Sequence, residues 1–273
     1  MELKQEDAMH IYNEKFYNEQ SLGSLESAKK IVPILKKLFS PNSVVDLGCG
    51  IGTWLSVFSE QGVNDIYGID GPYIDNNKLL IPRNCFLATN LNESLVTKRT
   101  FDLAISLEVA EHIPASSSDI FIDTLTLLSN VVVFSAAIPL QGGENHINEQ
   151  WPDYWTEKFI KRGFVPVDFL RLNLWKDSNV EFWYKQNIIL YLHTDIAYNF
   201  MLPREIINKM PLSLVHPDQY FHKCNMIYNL ENKLQIQKDT IMQLHNRIEE
   251  LKDPSKKSTW DAFVFFVNTI IKR

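Results

Sequence analysis

Val44-Val45-Asp46-Leu47-Gly48-Cys49-Gly50-Ile51-Gly52-Thr53-Trp54 decides how the rest of the chain is read. An apolar strand runs into three glycines at alternate positions, and an amphipathic helix begins at once. Glycine in such a turn permits positive φ and lets a ligand approach the backbone with no Cβ in the way. In an open α/β sheet the first strand–helix turn lies beside the point where strand order reverses, the place where nucleotide-like ligands bind. The spacing is GxGxG, not the GxGxxG of dinucleotide folds. Asp46 stands two residues before the first glycine, within reach of a cationic or amine-bearing ligand. Asp70 closes the next apolar run, 18 residues after Gly52, where a carboxylate can accept both hydroxyls of a ribose.

Outward from this stretch, short apolar runs alternate with longer amphipathic ones as far as residue 195. The runs are 43–47, 65–69, 85–88, 101–107, 131–136, 164–169 and 188–193, several of them continuously apolar, as Val-Val-Val-Phe at 131–134. Strands covered on both faces read this way, and strand–helix alternation of this length implies a parallel sheet. Before them, Ile31, Ile34, Leu35 and Leu38 recur at helical spacing up to Ser40-Pro41. The expected fold is α/β: a doubly wound, mostly parallel seven-stranded sheet with an N-terminal helical segment and a C-terminal helical tail. The expected organisation is a helical cover over 1–40, the sheet domain over 41–214 and the tail over 215–273.

Within the tail, Ile227, Leu230, Leu234, Gln237, Ile241, Leu244, Ile248 and Leu251 follow one another in steps of three and four. This is an a/d heptad seam with one polar interruption. It reads as a helix lying on its own domain or as a contact with a partner helix. A seam this narrow suits the partner better, so a homodimer or a docking helix is expected through 227–251. After Asp253-Pro254-Ser255 the last element, 259–273, is strongly apolar and flanked by Lys256, Lys257, Lys272 and Arg273. It is too short to span a bilayer; it either packs on the protein or lies in a membrane interface with its basic ends at head groups.

The 273 residues are 45% apolar and 22% charged, an ordinary globular composition. A net charge of −6 argues against nucleic acid as the main partner, because phosphate binding needs a basic face. Cys49, Cys85 and Cys224 are widely spaced, support neither a disulfide framework nor a zinc site, and fit a reducing compartment. The opening MELKQEDAMHIY is polar and acidic, unlike a secretory leader. The expected location is the cytoplasm, at the inner face of the membrane if the last helix meets lipid.

DLGCGIGTW together with GID resembles the first two motifs of class I S-adenosylmethionine-dependent methyltransferases, whose Rossmann-like fold matches the expected sheet. The resemblance implies that Asp46, Gly48, Cys49 (through its backbone), Gly50 and Gly52 line the methionine side of the cofactor. It places Asp70, with Gly71 beside it, at the ribose. The acid-Leu pair that contacts adenine in that family reads Asn90-Leu91 here, an amide that can still bond the adenine amine through its oxygen. Glu108, in FDLAISLEVAEHIP, falls in the segment that closes over the cofactor. Longer stretches (GSLESA, GIDGPYID, SLEVAEH, SAAIPLQGGENHINEQWPDYW and VEFWYKQN) resemble a subgroup often found among enzymes that modify sugars and surface polysaccharides. They span about residues 12–193. The implied cofactor is S-adenosylmethionine, with S-adenosylhomocysteine as product, and the implied acceptor is an oxygen of a glycan or activated glycan precursor: a sugar hydroxyl, or a phosphate or phosphoramidate oxygen.

Methyl transfer from a sulfonium needs an aligned acceptor oxygen, excluded water and often a base. Bases belong on the loops after strands four and five, which face the cofactor in this architecture. His146 is the first candidate, because it follows the Gly142-Gly143 pair and a free imidazole titrates near pH 6.5; Glu111 and Glu149 are the others. Tyr73, Trp151, Tyr154 and Trp155 offer faces for a sugar or for adenine. No metal is expected, because Glu111, His112, His146 and Glu149 have no metal-ligand spacing and would have to be folded together. Three other readings compete. One is a nucleotide-sugar dehydrogenase or epimerase, disfavoured by GxGxG and by the want of a well-placed Tyr-xxx-Lys pair. The others are a cofactor-binding assembly module without catalysis, and a small-molecule methyltransferase unrelated to glycans.

Overall fold

A computed structural model describes residues 23–252 and 257–271. Seven strands, β1 (Ser43–Leu47), β2 (Asp65–Asp70), β3 (Phe86–Ala88), β4 (Leu103–Leu107), β5 (Val131–Ser135), β6 (Phe164–Val167) and β7 (Ile189–His193), form one sheet in the order β3-β2-β1-β4-β5-β7-β6. Five pair in parallel, and β7 runs antiparallel between β5 and β6. Each lies on one of the apolar runs. Pro166 falls in β6, an edge strand, where a missing N–H costs the sheet least.

The continuous apolar runs are explained by two separate cores. Val44, Ile105 and Val133 enter one; Val45, Ala104 and Val132, their neighbours in sequence, enter the other. Adjacent side chains on a strand point to opposite faces, so a sheet covered twice must be apolar at every position. Helices α1 (residues 23–39) and α2 (Thr53–Glu60) contribute to the first core, with Ala28, Ile31, Val32 and Leu35 fully buried along one face of α1. Helices α3 (Ser118–Leu128) and α4 (Pro152–Ile160) supply Phe121, Leu125, Trp155 and Phe159 to the second. Two short helices, α5 (Leu170–Leu174) and α6 (Phe182–Asn187), precede β7.

The chain divides into two compact units after Gln219, close to the expected boundary at 214. The described part of the expected N-terminal cover, α1, is an integral wall of the first unit's core. Residues 1–22, which include the start of the expected cover, lie outside the described residues, as does the expected break at 253–255. Helix α7 (Pro217–Lys252) runs on for 36 residues and starts ten residues ahead of the heptad seam. In it Ile227, Leu230, Leu234, Ile241, Leu244 and Ile248 are all exposed. Helix α8 (Lys257–Ile271) carries exposed Phe265 and Phe266. Among the described residues no helix is long and apolar enough to cross a membrane.

Candidate active site

Strand order reverses between β1 and β4, and the glycine turn leaves β1 there. Gly48, Gly50 and Gly52 all have positive φ, at 88°, 53° and 88°, a backbone that glycine adopts without strain. Their surroundings separate them. A Cβ at Gly48 would run into the Val109 methyls and one at Gly52 into Ile81, whereas Gly50 faces open space. The turn is pinned from below, because Gly48 N–H and Cys49 N–H both donate to the Ile69 carbonyl, at 2.7 and 3.3 Å. The Cys49 amide expected to line the ligand is therefore engaged with β2.

Asp70, at the end of β2, is 4% exposed. Its carboxylate accepts from Gly50 N–H (2.6 Å), Gly71 N–H (2.6 Å) and the Tyr73 hydroxyl (2.7 Å). It thus joins the ends of β1 and β2 and still receives a hydroxyl from a side chain that is 78% exposed. Asp46 is buried beneath the turn; burial, and next the Asp70 charge, push its carboxyl well above the usual range. Asn90 is exposed, and both ends of its amide are used locally: the oxygen accepts from Asn92 N–H and the nitrogen donates to Glu93. Leu91 packs against the second core.

The two loops named from the sequence as sources of a base are joined. Ile147 and Asn148 N–H both donate to the Glu111 carbonyl at 3.0 Å, and Gln150 N–H donates to Ala137 at 3.1 Å. Glu149 organises the second loop: Oε2 accepts from Leu140 N–H, while Oε1 accepts from Gly142 N–H and lies 2.9 Å from His146 Nδ1. Those contacts hold the loop and set the orientation of the His146 ring. The His146 ring occupies the space a Cβ at Gly143 would fill and meets His112 edge-on, centroids 4.8 Å apart. His112 Nδ1 is 3.3 Å from the Asn145 carbonyl. Burial, then the neighbouring His146, lowers the His112 pKa. Glu111 is fully buried, and neither carboxylate oxygen has a hydrogen-bond partner. Burial first and Glu108 next push its carboxyl well above the usual range.

Glu108 sits at φ 56° where β4 ends. It is bonded to residues the sequence reading left without a role: Asn187 (3.0 Å) and Gln141 (2.9 Å), with Gln186 donating on to Gln141. Lys185, Gln186 and Asn187 are all buried. Three consecutive polar residues directly before an apolar strand were the signal for them.

The arrangement is a ligand cradle over the ends of β1 and β2 and a titratable cluster at the loops after β4 and β5. Similar structures include the methyltransferase domain of bacterial CtHen1 (18% identity over 63% of this chain and 98% of that one, TM-score 0.46). Others are magnesium protoporphyrin IX methyltransferase of Synechocystis PCC 6803 (18%, 63% and 80%, 0.44) and DesVI of Streptomyces venezuelae (12%, 71% and 100%, 0.48). No curated protein matches the chain. The family model described as a methyltransferase domain matches residues 18–171, more than half of the 273 residues, and the chain belongs to that family.

Proposed function

We propose that the domain transfers a methyl group from S-adenosylmethionine to an oxygen of a glycan or activated glycan precursor. The observation that carries the cofactor is the cradle: Gly50 opens on empty space, and the Asp70 carboxylate beside it already accepts a hydroxyl. The Tyr73 hydroxyl stands where a ribose hydroxyl would donate. Gly48, Gly50 and Gly52 would border the methionine portion, Asp46 would meet its ammonium group, and Asp70 would hold the ribose. The cofactor supplies an electrophilic methyl on a positively charged sulfur. With the cofactor bound, the acceptor oxygen would bond to that methyl as the sulfur leaves with the electron pair, and the acceptor would have to give up its proton. His146, oriented through Glu149, is the residue assigned to that proton. The glycan class is supported by the resemblance of residues 135–155 to the sugar-modifying subgroup, and by Tyr73 and Trp151, whose exposed rings suit a sugar face.

Release of S-adenosylhomocysteine over a panel of nucleotide-sugars and other activated precursors tests the reading. Calorimetry showing no S-adenosylmethionine binding overturns it. Turnover only with small molecules outside this class moves the acceptor, and binding without turnover on any acceptor leaves an assembly module.

For the second unit, the exposed seam of α7 supports pairing with another helix, a second copy of the chain in the first instance. The apolar face of α8, with basic residues at both ends in the sequence, supports a seat at an anionic membrane surface, on the cytoplasmic side. Flotation with anionic vesicles tests it, and a chain that stays in the aqueous layer refutes it.

A further inference from the structure

Three residues far apart in the chain meet at the acceptor side of the site. Glu111, His112 and His146 each offer a ligand atom, and these atoms lie within 4.8 Å of one another. Each has a feature that an ordinary hydrogen-bonded cluster lacks. Glu111 is fully buried with both carboxylate oxygens unpartnered; a buried polar group in that state costs stability unless something else satisfies it. His112 Nδ1 faces the Asn145 carbonyl and His146 Nδ1 faces the Glu149 carboxylate. Both partners only accept, so in the neutral form of each ring Nδ1 holds the hydrogen and Nε2 keeps its lone pair. Metal-binding histidines are oriented in this way, with the second nitrogen donating to a carbonyl or carboxylate.

We propose that Glu111, His112 and His146 bind one first-row divalent transition-metal cation. Two imidazoles and a carboxylate suit such an ion and not Ca²⁺, which takes six or more oxygens. With bonds of about 2.1 Å the three ligand atoms draw to within roughly 3–4 Å of one another, a closure that small side-chain rotations supply. Gly143 is part of the design: a side chain there would occupy the place of His146 Nε2. His112 is exposed, so an ion reaches the site from solvent and three protein ligands leave positions open. The reading rests on the methyl-transfer function for its purpose. At the acceptor side the ion would orient a substrate carrying two neighbouring oxygens and ease loss of the proton from one of them, so that with the ion bound His146 serves as its ligand and no longer takes that proton itself. The sequence reading expected no metal because no ligand spacing was visible; the fold supplies the spacing that the chain order lacks.

The test is titration of the full-length, chelator-stripped chain with Co²⁺ alone, followed by calorimetry and by the visible spectrum, which responds to nitrogen ligation. The expected result is saturable binding of one ion per chain. It is abolished in Glu111→Gln and in the His112→Ala/His146→Ala pair, and weakened roughly 10–100-fold in Glu149→Gln, which loosens the partner of His146. His245→Ala, on α7, binds as the parent does. Glu111→Gln removes a buried acid that has no hydrogen-bond partner, so it should fold, and its thermal melt checks this. No saturable binding, or binding that survives the double histidine replacement, overturns the site. S-adenosylmethionine binding is measured separately in the presence of chelator. Failure there refutes the methyl-transfer reading and leaves the cation result standing.

Discussion

Replacing Asp70 by alanine puts the cradle to its sharpest test. The carboxylate takes three short bonds, two from the Gly50 and Gly71 amides and one from Tyr73. With cofactor bound, the Tyr73 hydroxyl gives way to ribose hydroxyls. Hydrogen bonds to a charged group contribute about 1.5–3 kcal/mol each. Water entering the space left by the carboxylate recovers part of a pair, so the net loss in binding should be about 2–3 kcal/mol. At about 1.4 kcal/mol per decade this is a fall of roughly 30–150-fold in S-adenosylmethionine affinity by calorimetry. Asp70→Asn should not rescue it, because its amide nitrogen would face one of the two backbone donors. The same variants should melt lower, since those donors lose their acceptor in a site only 4% exposed. Tyr73→Phe works in the opposite direction. It removes the competing donor and should tighten binding by one net hydrogen bond, about 0.5–1.5 kcal/mol. Unchanged affinity in a folded Asp70→Ala chain removes Asp70 from the site.

Three further outcomes are expected. Because burial and then Asp70 raise the Asp46 pKa in the folded state, Asp46 costs stability that grows as pH rises above the unfolded carboxylate value of about 4. Asp46→Asn should therefore melt higher than the parent at pH 7–8, with the gap closing toward pH 4; a pH-independent gap refutes the assignment. Gly50→Ala should fold, at a left-handed backbone cost of about 1 kcal/mol, and lose cofactor affinity because its methyl enters open space. Gly48→Ala should instead be grossly unstable in a thermal melt, since its methyl meets Val109. On α7, Leu230→Glu with Leu244→Glu should convert a dimer to a monomer in light scattering without changing the melt of the sheet domain; a parent chain that is monomeric at every concentration refutes self-pairing.

The sheet was legible because its strands are buried on both faces, which forces apolar residues at consecutive positions and leaves no ambiguity about which runs are strands. Departures came at the ends. Phe101, expected in β4, lies outside it with its N–H on the Leu128 carbonyl, and Phe169 ends as the residue before α5. The cradle was legible for a different reason: glycines, Asp46 and Asp70 are local in sequence, and the positive φ values are a property of single residues. The acceptor side had no such locality. Residues 108–112, 137–150 and 185–187 come from three separate crossovers, and only the pairing of β5 with β4 and β7 brings them together.

Three carboxylates of similar promise in the sequence show what that distance hides. Glu149 takes two amides and lies beside an imidazole, which suits it to hold the loop and orient that ring. Asp70 is fixed by two amides, and its third bond is to a hydroxyl on an exposed side chain, so it can exchange that hydroxyl for a ligand's. Glu111 is fully buried, and no donor meets either of its oxygens in good hydrogen-bond geometry, the nearest groups being its own and the Ala137 amides and the Glu108 carboxyl. A carboxylate in that environment is either protonated, with Glu108 beside it, or satisfied by a cation, and His112 and His146 stand close enough to share that cation. What a carboxylate does here follows from the number of donors the fold aims at it, and those donors are backbone amides and distant rings that residue identity alone does not reveal.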